Sequence, residues 1–554
     1  MIRLLPRRFG LTFEVMRRLD HWLARVPGRR NVFVLCICAL IGVCSGYGAI
    51  AFRLLIDQIS ALAFPGGTGI AELNATPWYM VVLPPALGGL AVSLFVSRFA
   101  PEARGHGVPE VIDACAQRGG RIRPRVAIAK TLASALCIGT GGSVGREGPI
   151  VQIGSAVASS IGQALHLKGR DLKDLVAAGA AGGIAATFNA PVAGALFASE
   201  VLLGQGSPQR FSRLIVASVI ATVIAHIHLG NAPSFSVPPI SAGEPWELGL
   251  YVVLGLLAAI VGVAFTRGLY LLEDLWARLP LPMGVWGLFG GLIIGLVGLR
   301  LPHVMGVGYE VIDDTLNGTG MASIVNPSTI GLLLVLLVGK IFATGTTIGS
   351  GGSGGVFAPS LMLGACTGAA FAMAVVHFFA PEIMAPVGTY ALIGMGAVVA
   401  ATTHAPLTAV IIVFELTRQH EVLLPLLLSC VLAAVLARWM MPESIYSLKL
   451  VRRGVTRFLG HEATVATSTS VTAVAEPVGQ TLRADAALSE VIHRAIDLHH
   501  NCQYVVDDEI RLLGVITTDE IQAVIRDHDS LGHLLVAADL MHPPGGTLKP
   551  DETL

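Results

Sequence analysis

The sequence predicts an all-α polytopic membrane protein, built of two inverted-topology helical repeats with interrupted helices and followed by a small α+β soluble part. Three observations carry this expectation. The 554 residues are 53% hydrophobic and only 13% charged, with a mean hydropathy of +0.70, far fewer charges than a soluble domain carries. A glycine-rich stretch between apolar segments occurs twice. Residues 458 to 554 lose the apolar character and read as soluble.

The repeated stretch is Ile138-Gly139-Thr140-Gly141-Gly142-Ser143-Val144-Gly145-Arg146-Glu147-Gly148-Pro149. Its glycines let the main chain approach a ligand closely. The apolar run after Pro149 is helix-like, so the loop opens a helix whose free N–H groups favour an anion. Arg146 and Glu147 are charges inside a membrane-grade segment, which points to function. At an offset of 210, Ile138-Gly139, Gly141-Gly142-Ser143, Gly145, Pro149 and Gly154 meet Ile348-Gly349, Gly351-Gly352-Ser353, Gly355, Pro359 and Gly364, and Lys130 meets Lys340. In the second copy Val356-Phe357-Ala358 replaces Arg146-Glu147-Gly148, so the loop persists without its charges.

Two further landmarks recur in the same order. Gly105 to Asp113 is echoed by Gly306 to Asp313, and Ala185-Ala186-Thr187-Phe188-Asn189-Ala190-Pro191 with Glu200 by Ala400-Ala401-Thr402-Thr403-His404-Ala405-Pro406 with Glu415. Two homologous halves follow, and an odd number of crossings in each makes them inverted. Trp78 to Ser97, Glu247 to Tyr270 and Met283 to Leu299 read as bilayer spans. The shorter, glycine-broken segments belong where they line a cavity.

The expected organisation is a cytoplasmic basic helix over 1–31, a first membrane repeat over 32–228, a proline-rich linker over 229–245 and a second repeat with its pore-lining end over 246–455. A soluble domain follows over 456–540, and 541–554 opens a second such unit, cut short, because Pro477, Gly479, Thr481-Leu482, Asp485 and Leu488 recur 66 residues later. Eight arginines within residues 1–30, and Lys449, Arg452, Arg453 and Arg457 after Tyr446, place both ends in the cytoplasm of a bacterial-type inner or plasma membrane. The cysteines lie mostly in apolar segments, without metal or disulfide spacing, and read as small core residues. Zero net charge argues against nucleic acid.

Four motifs resemble those of one family. Gly105-His106-Gly107-Val108-Pro109, Gly145-Arg146-Glu147-Gly148-Pro149, Gly355-Val356-Phe357-Ala358-Pro359 and Tyr446 are similar, in order and spacing, to the anion-pathway motifs of the CLC chloride channels and chloride/proton exchangers, over about residues 30 to 455. The resemblance implies a homodimer in the lipid bilayer, each subunit with its own pore for chloride and related anions, and no cofactor. It implies that the backbone N–H groups of Val356 and Phe357, with the Tyr446 hydroxyl, hold the central anion, joined in the same motifs by His106, Gly107, Gly148 and Ala358. Glu147 is then the gate, its carboxylate competing with chloride for one set of donors and leaving when protonated. Arg146 is expected to make a structural pair or raise the local potential, with direct anion contact as the alternative.

Two positions depart from the family pattern. His106 stands where many members carry a serine that coordinates the anion. Its ring can donate N–H, can add a titratable charge, or can turn away while backbone donors act. Val201 stands where many exchangers carry an inner proton-transfer glutamate, which favours channel-like conduction, with exchange through a non-standard proton path as the alternative. Glu200 and Glu415 read as helix-packing groups.

The tail resembles a CBS domain over about 465 to 525. Asp519, after Thr517-Thr518, is the candidate contact for an adenine nucleotide, and a ligand-free dimerisation module is the alternative. An enzyme is not expected: His461-Glu462-Ala463-Thr464-Val465 lacks the second histidine of a zinc protease, and the glycine stretch lacks the Gly-Lys-Ser/Thr ending of a nucleotide loop.

Overall fold

A computed structural model describes residues 29–204, 208–231, 234–235, 237–238, 241, 243–319, 325–379, 384–455, 481–496, 502–517, 520–521 and 535–544. These fall into two compact units that divide at Gly460 and His461. The basic segment before residue 29, Asp519, and most of the expected second soluble unit lie outside the described residues.

Among its described residues, the first unit is all helical. Its first half comprises α1 (Arg29–Ala63), α2 (Ile70–Ala75), α3 (Trp78–Phe99), α4 (Val108–Ala116), α5 (Arg125–Gly139), α6 (Glu147–Ala164), α7 (Gly169–Phe188), α8 (Pro191–Phe197) and α9 (Pro208–Leu229). The second comprises α10 (Leu248–Ala277), α11 (Met283–Gly298), α12 (Tyr309–Asn317), α13 (Pro327–Gly349), α14 (Phe357–Phe379), α15 (Val387–Thr403), α16 (Pro406–Thr417) and α17 (Leu423–Met440), and α18 (Ser447–Arg452) follows. With α2 set aside, the halves run in the same order, α1 matching α10 and α9 matching α17.

Among the described residues, seven helices are long and apolar enough to cross a membrane, including Trp78–Phe99 and Pro245–Ala277. The chain is a multi-pass membrane protein. The expected span from Met283 falls short: α11 has 16 residues, about 24 Å at the α-helical rise. Its glycines serve packing, because a Cβ at Gly287 or Gly291 would run into the backbone of Gly89 or Pro85 on α3.

Local chemistry explains why the helices break where they do. α7 and α15 each end on a left-handed residue, Asn189 (φ 57°) and His404 (φ 58°), and a proline opens the next helix in each case, Pro191 and Pro406. A left-handed cap and a first-turn proline are the ordinary stop and start signals, so the repeated Asn-Ala-Pro and His-Ala-Pro strings are two copies of one corner.

The halves meet reciprocally, as a local two-fold axis requires. Gly145 N donates to Gly355 O at 2.8 Å, and Gly355 N to Gly145 O at 2.6 Å. The Ser134 and Ser353 hydroxyls lie 2.8 Å apart, and their counterparts Thr344 and Ser143 3.3 Å apart. Lys130 and Lys340 are fully buried, and each donates to two carbonyls of the turn before a short helix, Ala103 O (3.0 Å) and Gly105 O (2.6 Å) in one half, Val304 O (3.2 Å) and Gly306 O (2.9 Å) in the other.

The second unit holds a small α+β part: β1 (Leu482–Arg483), α19 (Leu488–Ile496), β2 (Cys502–Val506), β3 (Leu512–Thr517) and α20 (Ala537–Leu540). The sheet order is β1-β2-β3, parallel then antiparallel. Leu482, Leu488, Val491, Val505 and Ile516 form its core.

Candidate functional site

The two glycine loops lie back to back, and the helices they open start at one place. Glu147 begins α6, Phe357 begins α14, and Gly107 (φ 81°) and Gly308 (φ 91°) turn the chain into α4 and α12. The approach is close: a Cβ on Gly148 would run into His106 O, and one on Gly107 would sit 2.9 Å from Gly148 O and from Gln152 Oε1. The positive ends of several helices are thereby focused on one buried volume.

Glu147 lies inside this volume and is 2% exposed. Its Oε1 accepts from the Tyr309 hydroxyl at 2.7 Å. Its Oε2 has no hydrogen-bond partner among the described residues and rests over Gly145, where a Cβ would overlap it. The Arg146 guanidinium stacks over the Tyr309 ring at 5.3 Å. Val356, Phe357 and Ala358 are buried at the start of α14, and Phe357 packs on Phe188 at 5.6 Å.

Tyr446 lies beside His106. It is buried, with its ring 5.9 Å from His106 and edge-on to Phe197 at 6.3 Å, and among the described residues no hydrogen bond holds its hydroxyl. His106 is fully buried, its Nε2 3.3 Å from the Tyr270 hydroxyl. Tyr270 has a single O–H proton and gives it to Ile445 O at 2.7 Å. Toward His106 it therefore accepts, which assigns the neutral ring's proton to Nε2 and leaves Nδ1, unpartnered among the described residues, as a lone pair.

Glu200 and Glu415 sit outside this volume, where each caps a helix of the opposite half. Glu200 accepts from Thr408 N (2.9 Å) and Thr408 Oγ1 (2.6 Å) on α16, and Glu415 from Val192 N (3.1 Å) and Ala193 N (2.7 Å) on α8. Val201 lies half-buried in the π-helical turn Ala198–Leu202 after α8 and offers no polar atom. Among the described residues, no group of three His, Cys, Asp or Glu side chains is placed to hold a metal.

The structure brings Glu147, His106, Gly107, Arg146, Gly148, Val356, Phe357, Ala358 and Tyr446 together. Tyr309, Tyr270 and Phe235, which the sequence did not single out, pack beside them. A signal for Tyr309 exists: it follows Gly308 as Val108 follows Gly107, so the two-fold relation points it at the same centre.

Interrupted helices of two related halves, with their first turns facing one buried volume, define a membrane transporter for a small anion. The family model described as voltage gated chloride channel matches residues 88–438. A putative chloride channel protein, ClcB-like, of Ralstonia nicotianae is 33% identical over 424 residues, covering 76% of this chain and 97% of that protein. The H(+)/Cl(-) exchange transporter ClcA of Cronobacter sakazakii is 32% identical over 430 residues, covering 76% and 89%. The crystal structure of a slow cyanobacterial Cl-/H+ antiporter superposes with a TM-score of 0.67 at 26% identity, covering 76% of this chain and 98% of that one. The chain belongs to the voltage-gated chloride channel, or CLC, family, and its function is CLC-type chloride transport.

Proposed function

We propose that the protein exchanges chloride for protons, with Glu147 as the gate. The observation that carries this reading is a single buried carboxylate occupying the point on which the helix N-termini converge. An ionised carboxylate and a chloride ion compete for the same donors, so only one of them occupies the site. Protonation removes the charge that holds Glu147 there, and the side chain leaves. Chloride then takes the backbone N–H groups of Val356, Phe357 and Ala358 and the unengaged Tyr446 hydroxyl, with Gly107 and Gly148 beside them. Arg146, stacked on Tyr309, supports the site through its field.

Exchange takes its support from the activities of relatives, ClcA and the cyanobacterial antiporter. Channel-like conduction is the second reading, and Val201 favours it, since an apolar side chain cannot relay protons. A homodimer, cytoplasmic termini and a CBS-type regulatory tail that binds an adenine nucleotide complete the proposal.

The test is chloride flux from liposomes as a function of pH. Wild-type flux should rise as pH falls, whereas Glu147→Gln should transport at neutral pH with little pH dependence. A Glu147→Gln protein that keeps the wild-type pH profile contradicts the gate.

A further inference from the structure

Tyr309 belongs to none of the motifs that place the anion, yet it holds the gate residue by the 2.7 Å bond from its hydroxyl to Glu147 Oε1. Its ring is clamped on two sides. The Arg146 guanidinium lies over it at 5.3 Å, and Phe235 meets it edge-on at 5.4 Å, interplanar angle 89°. Phe235 comes from the proline-rich stretch between the repeats, which reads in the sequence as a plain connector. It is buried, and its backbone N donates to Leu416 O of α16 at 3.2 Å, while Ser234 Oγ donates to Phe188 O at 3.0 Å. The connector is thus anchored on both halves and presses an aromatic ring against the gate's partner.

We infer that Tyr309 is the positioning residue of the gate: its hydroxyl latches the Glu147 carboxylate in the closed position, and Phe235 of the inter-repeat connector, with Arg146, fixes the ring that carries it. This rests on Glu147 being the gate. A hydroxyl donates more strongly to a charged acceptor than to a neutral one, so the latch stabilises the ionised, closed state selectively and sets the acidity at which the site opens. The other titratable groups that face Glu147, among the described residues, are the Arg146 guanidinium beside it, Lys340 on α13 and the neutral Tyr446 phenol. Arg146 also shares a side-chain hydrogen bond with the Tyr309 hydroxyl, so Tyr309→Phe removes that bond along with the latch and keeps the stacking.

The experiment is chloride flux from liposomes over about pH 4 to 8 for wild type, Tyr309→Phe, Glu147→Gln and the double variant. Phenylalanine keeps the ring, its cation stacking and its contact with Phe235. One lost charge-assisted hydrogen bond should move the half-maximal pH of Tyr309→Phe upward by about one unit, so that flux above the midpoint rises about tenfold while the acid limit is unchanged. Phe235→Ala should move the midpoint the same way. The double variant should match Glu147→Gln, which also shows that the Tyr309→Phe substitution leaves the protein folded.

A Tyr309→Phe profile superimposed on wild type overturns the latch, as does a double variant that differs from Glu147→Gln. A Glu147→Gln protein with the wild-type profile refutes instead the gate on which the latch depends.

Discussion

His106 Nε2 lies 3.3 Å from the hydroxyl of Tyr270, and that hydroxyl donates to Ile445 O. The neutral imidazole therefore gives its only N–H to Tyr270 and presents a lone pair from Nδ1. Of the roles open to His106 from sequence, direct donation to an anion is the one this geometry disfavours for the neutral ring.

A hydroxyl at position 106 has a proton free to donate. His106→Ser should tighten chloride binding by about tenfold, the worth of one net hydrogen bond to a charged group. Isothermal titration of chloride into the purified protein measures this. Unchanged or weaker binding indicates that His106 already donates to the anion.

Gly145 is needed for space beneath the gate. A Cβ there overlaps Glu147 Oε2 and comes within 3.0 Å of the Ala358 Cβ. Gly145→Ala should push the carboxylate out, raising chloride flux at neutral pH several-fold toward that of Glu147→Gln and flattening its pH dependence. A Gly145→Ala protein that stays closed at neutral pH and opens with acid as wild type does is the contrary result.

The paired lysines give a prediction about stability. Lys340→Met strands Val304 O and Gly306 O, at a cost of about 2 to 4 kcal/mol, whereas after Lys130→Met the carbonyls of Ala103 and Gly105 keep Ser353 Oγ and Gly354 N as donors. Both should lower the melting temperature in detergent, Lys340→Met by the larger amount, since only its carbonyls are left without a donor. A neutral effect of Lys340→Met, or a larger loss for Lys130→Met, is the contrary result.

The repeat and its corners were legible in the sequence because backbone geometry demands particular residues there. Gly107 at φ 81°, Asn189 and His404 in the left-handed region, and Pro191 and Pro406 in first turns are local requirements that leave a local trace. Lys130 and Lys340 were visible as a recurrence, and their task became clear only once the turns they hold were in place.

Side-chain pairings between distant segments leave no such trace. Tyr309 and Glu147 are 162 residues apart, and the second-half echo of Gly105 to Asp113 draws attention to glycines rather than to the tyrosine between them. Phe235 stands in a polar connector, and Tyr270 in a helix long and apolar enough to cross a membrane. The limits of α11 were legible to within a residue, while its apolar glycines, which pack against α3, raise hydropathy as lipid-facing residues do and made a short helix read as a span.

Proton coupling is the most direct test of the account. Purified protein in liposomes is given a chloride gradient while external pH is recorded. The account predicts that chloride moving down its gradient drives protons uphill, that dissipating the pH gradient speeds chloride flux, and that Glu147→Gln moves chloride with no proton signal. Chloride movement under an electrical shunt with a flat pH trace in the wild type contradicts exchange and leaves the conduction that Val201 favours.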